Sequence, residues 1–325
     1  MIATPRRVQN SVRAFISRRL KLTRALSYPE YLFVEPTNFC NLKCPLCPTG
    51  AGYLGRVPRG YMNIEHYRNL IDELSPYARR IELWGFGEPM MHPEIHTMIS
   101  YASTNGLRTK ISTNGQFFET REDAERIVAS RLDKMKLSLD GLSQETLSVY
   151  RRNASFEKLI HGIELINEAK LRANSKTPRL ILQFIVMKHN EHEVDRAPEF
   201  ARRMNMTLKI KPVGLSSSDE ADEFLPQSDR YSRFSYSKSR TALEPKYSQP
   251  SVCPYPWNWA HLNWDGTVVA CCKDPRRRYV FGNAFEEGGF TKVWNSPPYV
   301  QFRKQYLADR TALDRCRDCV LPPHI

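Results

Sequence analysis

With 325 residues the chain is long enough for one large domain and a smaller one, and 41% hydrophobic with 26% charged residues is ordinary for a soluble globular protein. No apolar run approaches the roughly 20 residues that span a bilayer, and the basic N-terminus lacks the apolar core of a secretory signal, so the expected compartment is the cytoplasm. A net charge of +13 leaves nucleic acid, an acidic membrane surface or an acidic protein as partner classes, beside an ordinary solvated basic surface. Residues 1–28 are rich in Arg and Lys, and Val8, Val12, Phe15, Ile16 and Leu20 recur at helical spacing. This predicts a basic amphipathic helix packed on the outside of the main domain, with weak membrane-surface contact as the alternative.

Tyr31-Leu32-Phe33-Val34 reads as a strand ending at Glu35-Pro36-Thr37. Cys40, Cys44 and Cys47 follow, spaced C-x3-C-x2-C in a loop at that strand's C-terminal end. Three thiolates this close can hold a 4Fe–4S cluster by three irons, where the full complement is four Cys, and leave one iron open to a small ligand. A zinc knuckle completed by a distant fourth ligand is the other reading of the spacing. The eight cysteines fall in two groups with none between 47 and 253, which favours metal ligation over a disulfide scaffold.

The Cys40–Cys47 segment closely resembles the radical S-adenosylmethionine (SAM) family. The resemblance implies that the open iron chelates SAM's amino and carboxylate groups, and that one electron from the cluster cleaves the C5′–S bond to give a 5′-deoxyadenosyl radical. It also implies an acidic electron donor such as flavodoxin or ferredoxin. Leu46 departs from the family's frequent aromatic before the last Cys, which puts an adenine-stacking contact in doubt but not the cluster.

From 31 to 214, strand patterns at 31–37, 80–85, 108–113, 134–139, 179–187 and 207–212 alternate with helix patterns at 64–78, 93–104, 120–131, 143–151 with 155–172, and 192–204. Alternation of this kind predicts an α/β fold with a parallel sheet and right-handed crossovers. Six units make a partial (β/α)6 TIM barrel, the fold the resemblance also implies, over residues 29–214. Parallel barrels carry their chemistry at the strands' C-terminal ends. The second strand ends in Gly85-Phe86-Gly87-Glu88-Pro89, similar to the family's Gly-Gly-Glu-Pro motif for SAM's methionine amino group, with Phe86 separating the glycines. The third ends in Ser112-Thr113-Asn114-Gly115 and the fourth in Ser138-Leu139-Asp140-Gly141. Ser112, Asn114, Ser138 and Asp140 can hydrogen-bond a ribose or carboxylate, although such dipeptides are also common in turns. The resemblance places Arg151 or Arg152 against SAM's carboxylate, and Gln183 in the fifth strand is a candidate ribose contact or a barrel-interior glutamine.

Residues 215–250 lose periodicity and read as a linker or mobile loop. Residues 251–325 form a second cluster region. Ala260–Trp264, Asp265-Gly266 and Thr267–Cys272 predict a hairpin, and Cys316-Arg317-Asp318-Cys319 closes the pattern. Four sulfurs here fit a four-Cys site, zinc or iron–sulfur. Gly266-x4-Cys271 resembles the SPASM/twitch extension of radical SAM enzymes, in a short form with cysteines enough for one auxiliary 4Fe–4S cluster: Cys253, Cys271, Cys316 and Cys319. Adjacent strand residues face opposite ways, so Cys272 is left over, as a buried small residue or as a hydrogen-atom donor to a substrate radical.

The resulting expectation is a radical SAM enzyme, oxidoreductase-like, with two 4Fe–4S clusters. It would abstract hydrogen from a small molecule such as a sugar or cyclitol, with oxidation or epimerisation as the outcome. The segment before residue 31 is too short for an independent peptide-recognition domain, which sets a peptide-modifying maturase second. A zinc- or RNA-binding protein is the non-enzyme alternative, but no recognised RNA module is present and no nucleic acid is expected.

Overall fold

The computed structural model describes residues 4–215, 217–236, 243–246, 253–317 and 319. α1 (Pro5–Arg19) starts on Pro5, and the Thr4 side chain accepts from the Arg7 amide. The chain then alternates through β1 (Tyr31–Val34), α2 (Ile64–Leu74), β2 (Arg80–Leu83), α3 (Ile95–Thr104), β3 (Arg108–Thr113), α4 (Arg121–Ala129) and β4 (Lys134–Ser138). It continues through α5 (Gln144–Tyr150), α6 (Phe156–Arg172), β5 (Arg179–Val186), α7 (Ala197–Arg203) and β6 (Thr207–Pro212). The six strands are parallel neighbours in chain order, the expected partial barrel. Leu32, Val34, Ile81, Leu83, Ile111, Met135, Leu137 and Leu182 point to the helix side and are buried with Leu70, Ile71, Met98, Ile163 and Ile166. The other face of each strand carries aromatic and charged residues, so the core lies between sheet and helices and the concave side is left for ligands.

α1 packs on this domain as expected, but by the opposite face. Arg7, Asn10, Ala14 and Ser17 are buried, whereas Val8, Val12, Phe15 and Leu20 are 47–65% exposed. The reason lies in the helix ends beneath. Arg7 donates to Ser75 O at 2.8 and 3.1 Å, Gly106 O at 2.7 Å and Asn105 O at 3.1 Å, carbonyls just past α2 and α3 that have no intrahelical donor and lie at the negative ends of the helix dipoles.

Residues 215–250 are not merely a linker. α8 (Ser218–Phe224), capped by Ser217, sets Phe224 against Tyr150 and His189. β7 (Phe234–Tyr236) and β8 (Leu243–Pro245) pair antiparallel. Residues 216, 237–242 and 247–250 of this segment, and 251, 252, 318 and 320–325 of the next, lie outside the described residues.

After α9 (Tyr255–Asn258), the hairpin forms around Asp265-Gly266 as β9 (Trp259–Leu262) and β10 (Thr267–Val269), and β11 (Val280–Asn283) pairs with β10. The sequence does not announce the next step: β9 lies parallel to β1, Phe33 opposite His261. One nine-stranded sheet therefore runs β11-β10-β9-β1-β2-β3-β4-β5-β6 through both predicted domains. α10 (Gly289–Trp294), α11 (Pro297–Ala308) and α12 (Asp314–Arg317) complete the described chain. Trp257 Nε1 donates to Leu22 O at 2.7 Å and Trp294 Nε1 to Ser27 O at 2.6 Å, tying this region to the segment after α1. Among the described residues no helix is long and apolar enough to cross a membrane.

Candidate functional site

The loop carrying Cys40, Cys44 and Cys47 caps the C-terminal end of β1. The Lys43 amide donates to Arg152 O at 3.1 Å and the Cys47 amide to Cys44 O at 3.1 Å. Asn114, at the end of β3, donates through Nδ2 to Asn41 Oδ1 at 2.8 Å. All three thiols are free, Cys44 buried and the others half-buried. Burial pushes Cys40 up to about 12, and the neighbouring charges of Glu88, Cys47 and Cys44 add to the rise. Burial also raises Cys44, opposed by Arg151, whose Nη1 is 3.7 Å from Cys44 Sγ. Thiols raised by burial, as Cys40 and Cys44 are, become thiolates when a cationic group binds them. This donor set fits an iron–sulfur cluster.

The β2 end packs directly on the Cys loop. A Cβ at Gly87 would lie 2.2 Å from Thr37 O, and one at Gly85 2.5 Å from Glu35 Oε1, so these glycines permit close approach of the protein's own backbone. Thr49 Oγ1 donates to Phe86 O. Pro89 begins a single 3-10 turn capped by Glu88. The Glu88 carboxylate accepts from Thr113 Oγ1 and the Asn114 amide, both at 2.7 Å, and from the Met90 amide at 3.1 Å. Burial raises it to about 7 against those donors. Glu88 thus joins the β2 and β3 ends.

Asp140 and Arg151 form one buried pair beside the Cys loop, and Arg152 stands apart from it. Asp140 is fully buried: its Oδ1 accepts from the Ile185 amide at 2.7 Å, and its Oδ2 accepts from Arg151 Nε at 2.7 Å and Nη2 at 2.6 Å. Burial alone would lower Arg151, but Asp140 and Cys44 carry it upward. Arg152 turns outward, more than half exposed and 3.9 Å from Glu223; of the pair, Arg151 reaches the Cys loop. Ser112 and Ser138 lie on the concave face, their hydroxyls without a hydrogen-bond partner among the described residues, and Gln183 Oε1 is buried without one.

Cys253, Cys271, Cys272, Cys316 and Cys319 line one cavity with Tyr255, Tyr279, Phe302 and Tyr306. The Cys253 amide donates to Tyr306 Oη at 2.9 Å. Burial raises Cys253 to about 12, with Cys319, Cys316 and Cys272 adding to the rise, and raises Cys316 to about 11, with Cys319 adding. Sulfur donors gathered around one cavity fit an iron–sulfur cluster. Cys272 also senses Glu82, and Lys211 senses Cys272, so this thiol lies between the cavity and the barrel interior.

Two residues of the site went unnoticed in the sequence. Glu35 Oε1 accepts from the Phe86 amide at 2.8 Å, and burial raises Glu35 to about 7. His261 sits among Phe33, Tyr255 and Trp259, with neither ring nitrogen partnered, and burial lowers it to about 3. No local spacing marks His261; it reaches the site through the β9–β1 pairing.

Residues 34–201 match the model of the Radical SAM superfamily, and residues 253–320 match that of the SPASM iron–sulfur cluster-binding domain. The mycofactocin maturase MftC of Mycolicibacterium smegmatis is 27% identical over 318 residues, 90% of this chain and 78% of that protein. The AdoMet-dependent heme synthase of Methanosarcina barkeri is 29% identical over 203 residues, 61% of this chain and 55% of that protein. Among solved structures, SuiB of Streptococcus suis bound to S-adenosylmethionine superposes with a TM-score of 0.65 at 15% identity, covering 91% of this chain and 72% of that one, a likeness of fold.

Proposed function

The chain belongs to the Radical SAM superfamily and is an enzyme of its SPASM-bearing branch, and we propose that it is a maturase that abstracts a hydrogen atom from a residue of a peptide. The SAM-binding 4Fe–4S cluster of such a core supplies, with SAM, the 5′-deoxyadenosyl radical, and the SPASM domain binds auxiliary iron–sulfur clusters. In this reading Cys40, Cys44 and Cys47 hold the first cluster. Arg151, fixed by Asp140, sets a cation beside Cys44. Ser112, Ser138 and Gln183 offer free polar groups for SAM, and residues Gly85 to Pro89 form the wall behind it. Cys253, Cys271, Cys316 and Cys319 hold one auxiliary cluster. The charge of +13 supports docking of an acidic flavodoxin or ferredoxin as reductant.

The observation that carries the peptide reading over the small-molecule one is the match to the mycofactocin maturase, which runs through both domains. The small-molecule reading keeps the matches to heme synthases and to an Fe-coproporphyrin III synthase, each confined to a smaller share of the chain. Anaerobically reconstituted protein is expected to hold about eight irons, from two four-iron clusters, and to release 5′-deoxyadenosine from SAM with dithionite. Short peptides encoded beside the gene, deuterated at each residue in turn, are expected to pass deuterium to that product. Transfer from a deuterated small molecule and from no peptide would reverse the choice, and zinc with no 5′-deoxyadenosine release would end both.

A further inference from the structure

Inside the barrel the concave face carries more ammonium groups than its carboxylates can pair. Lys110 on β3, Lys136 on β4, and Lys209 and Lys211 on β6 project to the side that carries Glu82 and Trp84. The register sets Glu82 opposite Lys110, Ser112 opposite Lys136, and Gln183 opposite Lys209. Lys110 Nζ is 4.9 Å and Lys136 Nζ 4.7 Å from the Trp84 ring centroid, so strands β2, β3 and β4 converge on one ring. Lys136 is 8% exposed. Glu82 is 3.5 Å from Lys110 and 3.4 Å from Arg80. Among the described residues neither Lys136 nor Lys211 has a hydrogen-bond acceptor or an ion-pair partner within reach.

Such an arrangement is unfavourable unless something else occupies it. Buried ammonium groups are ordinarily paired, because desolvation is costly. Here burial, then Lys211 and Lys110, pull Lys136 well below its ordinary value, and burial with Lys209, Lys110 and Arg233 brings Lys211 down to about 8. A bound anion reverses both effects. The Trp84 ring adds an apolar wall, with Phe33 packed edge-on at 5.3 Å. The polar groups available for SAM, Ser112, Ser138 and Gln183, lie on this same face of the sheet.

We propose that this lysine-lined chamber recognises a carboxylate of the substrate, held by Lys136 and Lys211 beside Trp84, so that the substrate is an acidic peptide presenting a side-chain or C-terminal carboxylate to the barrel interior. The proposal rests on the reading of the protein as a peptide maturase but is read out by binding, without turnover. The probes are N-acetyl-tetraglutamate, the same peptide with a C-terminal amide, and N-acetyl-tetraglutamine with a C-terminal amide, which carries no carboxylate, titrated calorimetrically into reconstituted protein at low salt. Tetraglutamate is expected to bind and tetraglutamine not. A loss confined to the C-terminal amide assigns the terminal carboxylate, and equal binding of the amide assigns side chains. Lys136→Met and Lys211→Met are each expected to weaken binding about tenfold or more, the loss of one charge-assisted contact. Lys136→Arg, and Lys158→Met on the far surface of α6, are expected to bind within about threefold of wild type, a span smaller than one such contact. Melting temperatures and iron content certify the fold of each variant. Equal binding of tetraglutamate by wild type and by folded Lys136→Met and Lys211→Met overturns the proposal, as does no binding by the wild type. Failure of SAM cleavage with binding intact would instead overturn the maturase reading alone.

Discussion

Asp140 holds Arg151 through its Oδ2 and the β5 backbone through its Oδ1, so a single buried carboxylate fixes the cation beside Cys44. Asp140→Asn leaves a buried guanidinium without its counter-charge and is expected to lower stability by about 3 kcal/mol, measured by urea unfolding. Combining it with Arg151→Met should cost less than the sum of the two single changes, since the second removes the group the first left unpaired. Glu35 gives a pH-dependent test. Its carboxyl, raised by burial from 4.5 to about 7 despite the Phe86 amide and Arg277 and helped upward by Asp265, binds its proton more tightly folded than unfolded. That contribution to stability is full below about pH 4.5 and is lost as pH rises through about 7. Urea melts are therefore expected to show wild type losing about 3 kcal/mol relative to Glu35→Gln between the two limits; parallel pH profiles would contradict this account. Nothing near Glu35 in the sequence marks its burial, because the residue that covers it, Gly85, comes from the next strand.

At the scale of elements, the six βα units were legible because apolar residues on one strand face and helical spacing between strands are local signals. The face used by α1 was not. Val8, Val12, Phe15 and Leu20 form the apolar stripe, yet Arg7 and Asn10 make the contacts, since the partner surface is a row of free carbonyls that no periodicity reveals. Arg7→Ala is expected to cost about 2–3 kcal/mol, the worth of hydrogen bonds from a charged donor, whereas Val12→Ser on the exposed face should change stability by under about 0.5 kcal/mol; chemical denaturation decides both. The glycines after β2 permit close approach of the Cys loop. Their nearest neighbours are Glu35 and Thr37. Gly87→Ala must shift the Cys loop and is expected to destabilise by about 1–3 kcal/mol and to reduce iron retained by the first cluster on desalting.

Across the whole molecule, each set of cysteines was visible in sequence as a spacing, but the chamber between them was not. Lys110, Lys136 and Lys211 are far apart along the chain and meet through the parallel pairing of β3 to β6, and His261 and Cys272 are brought to the same sheet because β9 lies on β1. That pairing makes the auxiliary site mechanically part of the core. Trp257 and Trp294 donate to carbonyls of the segment between α1 and β1, and Arg303 stacks on Tyr299 and Trp294 at 4.1 and 4.7 Å while donating to Pro256 O. Loss of the auxiliary cluster should therefore be felt by the barrel. In the Cys253→Ser, Cys316→Ser double variant, iron is expected to fall from about eight to about four per chain, with the first cluster kept. A metal bound only by the folded state stabilises by linkage, so the variant should melt at lower temperature. Because β9 is hydrogen-bonded into the central sheet, scanning calorimetry is expected to record one cooperative transition moved downward as a whole; a low-temperature transition split from an unmoved barrel transition would mean that the β9–β1 seam does not couple the two regions.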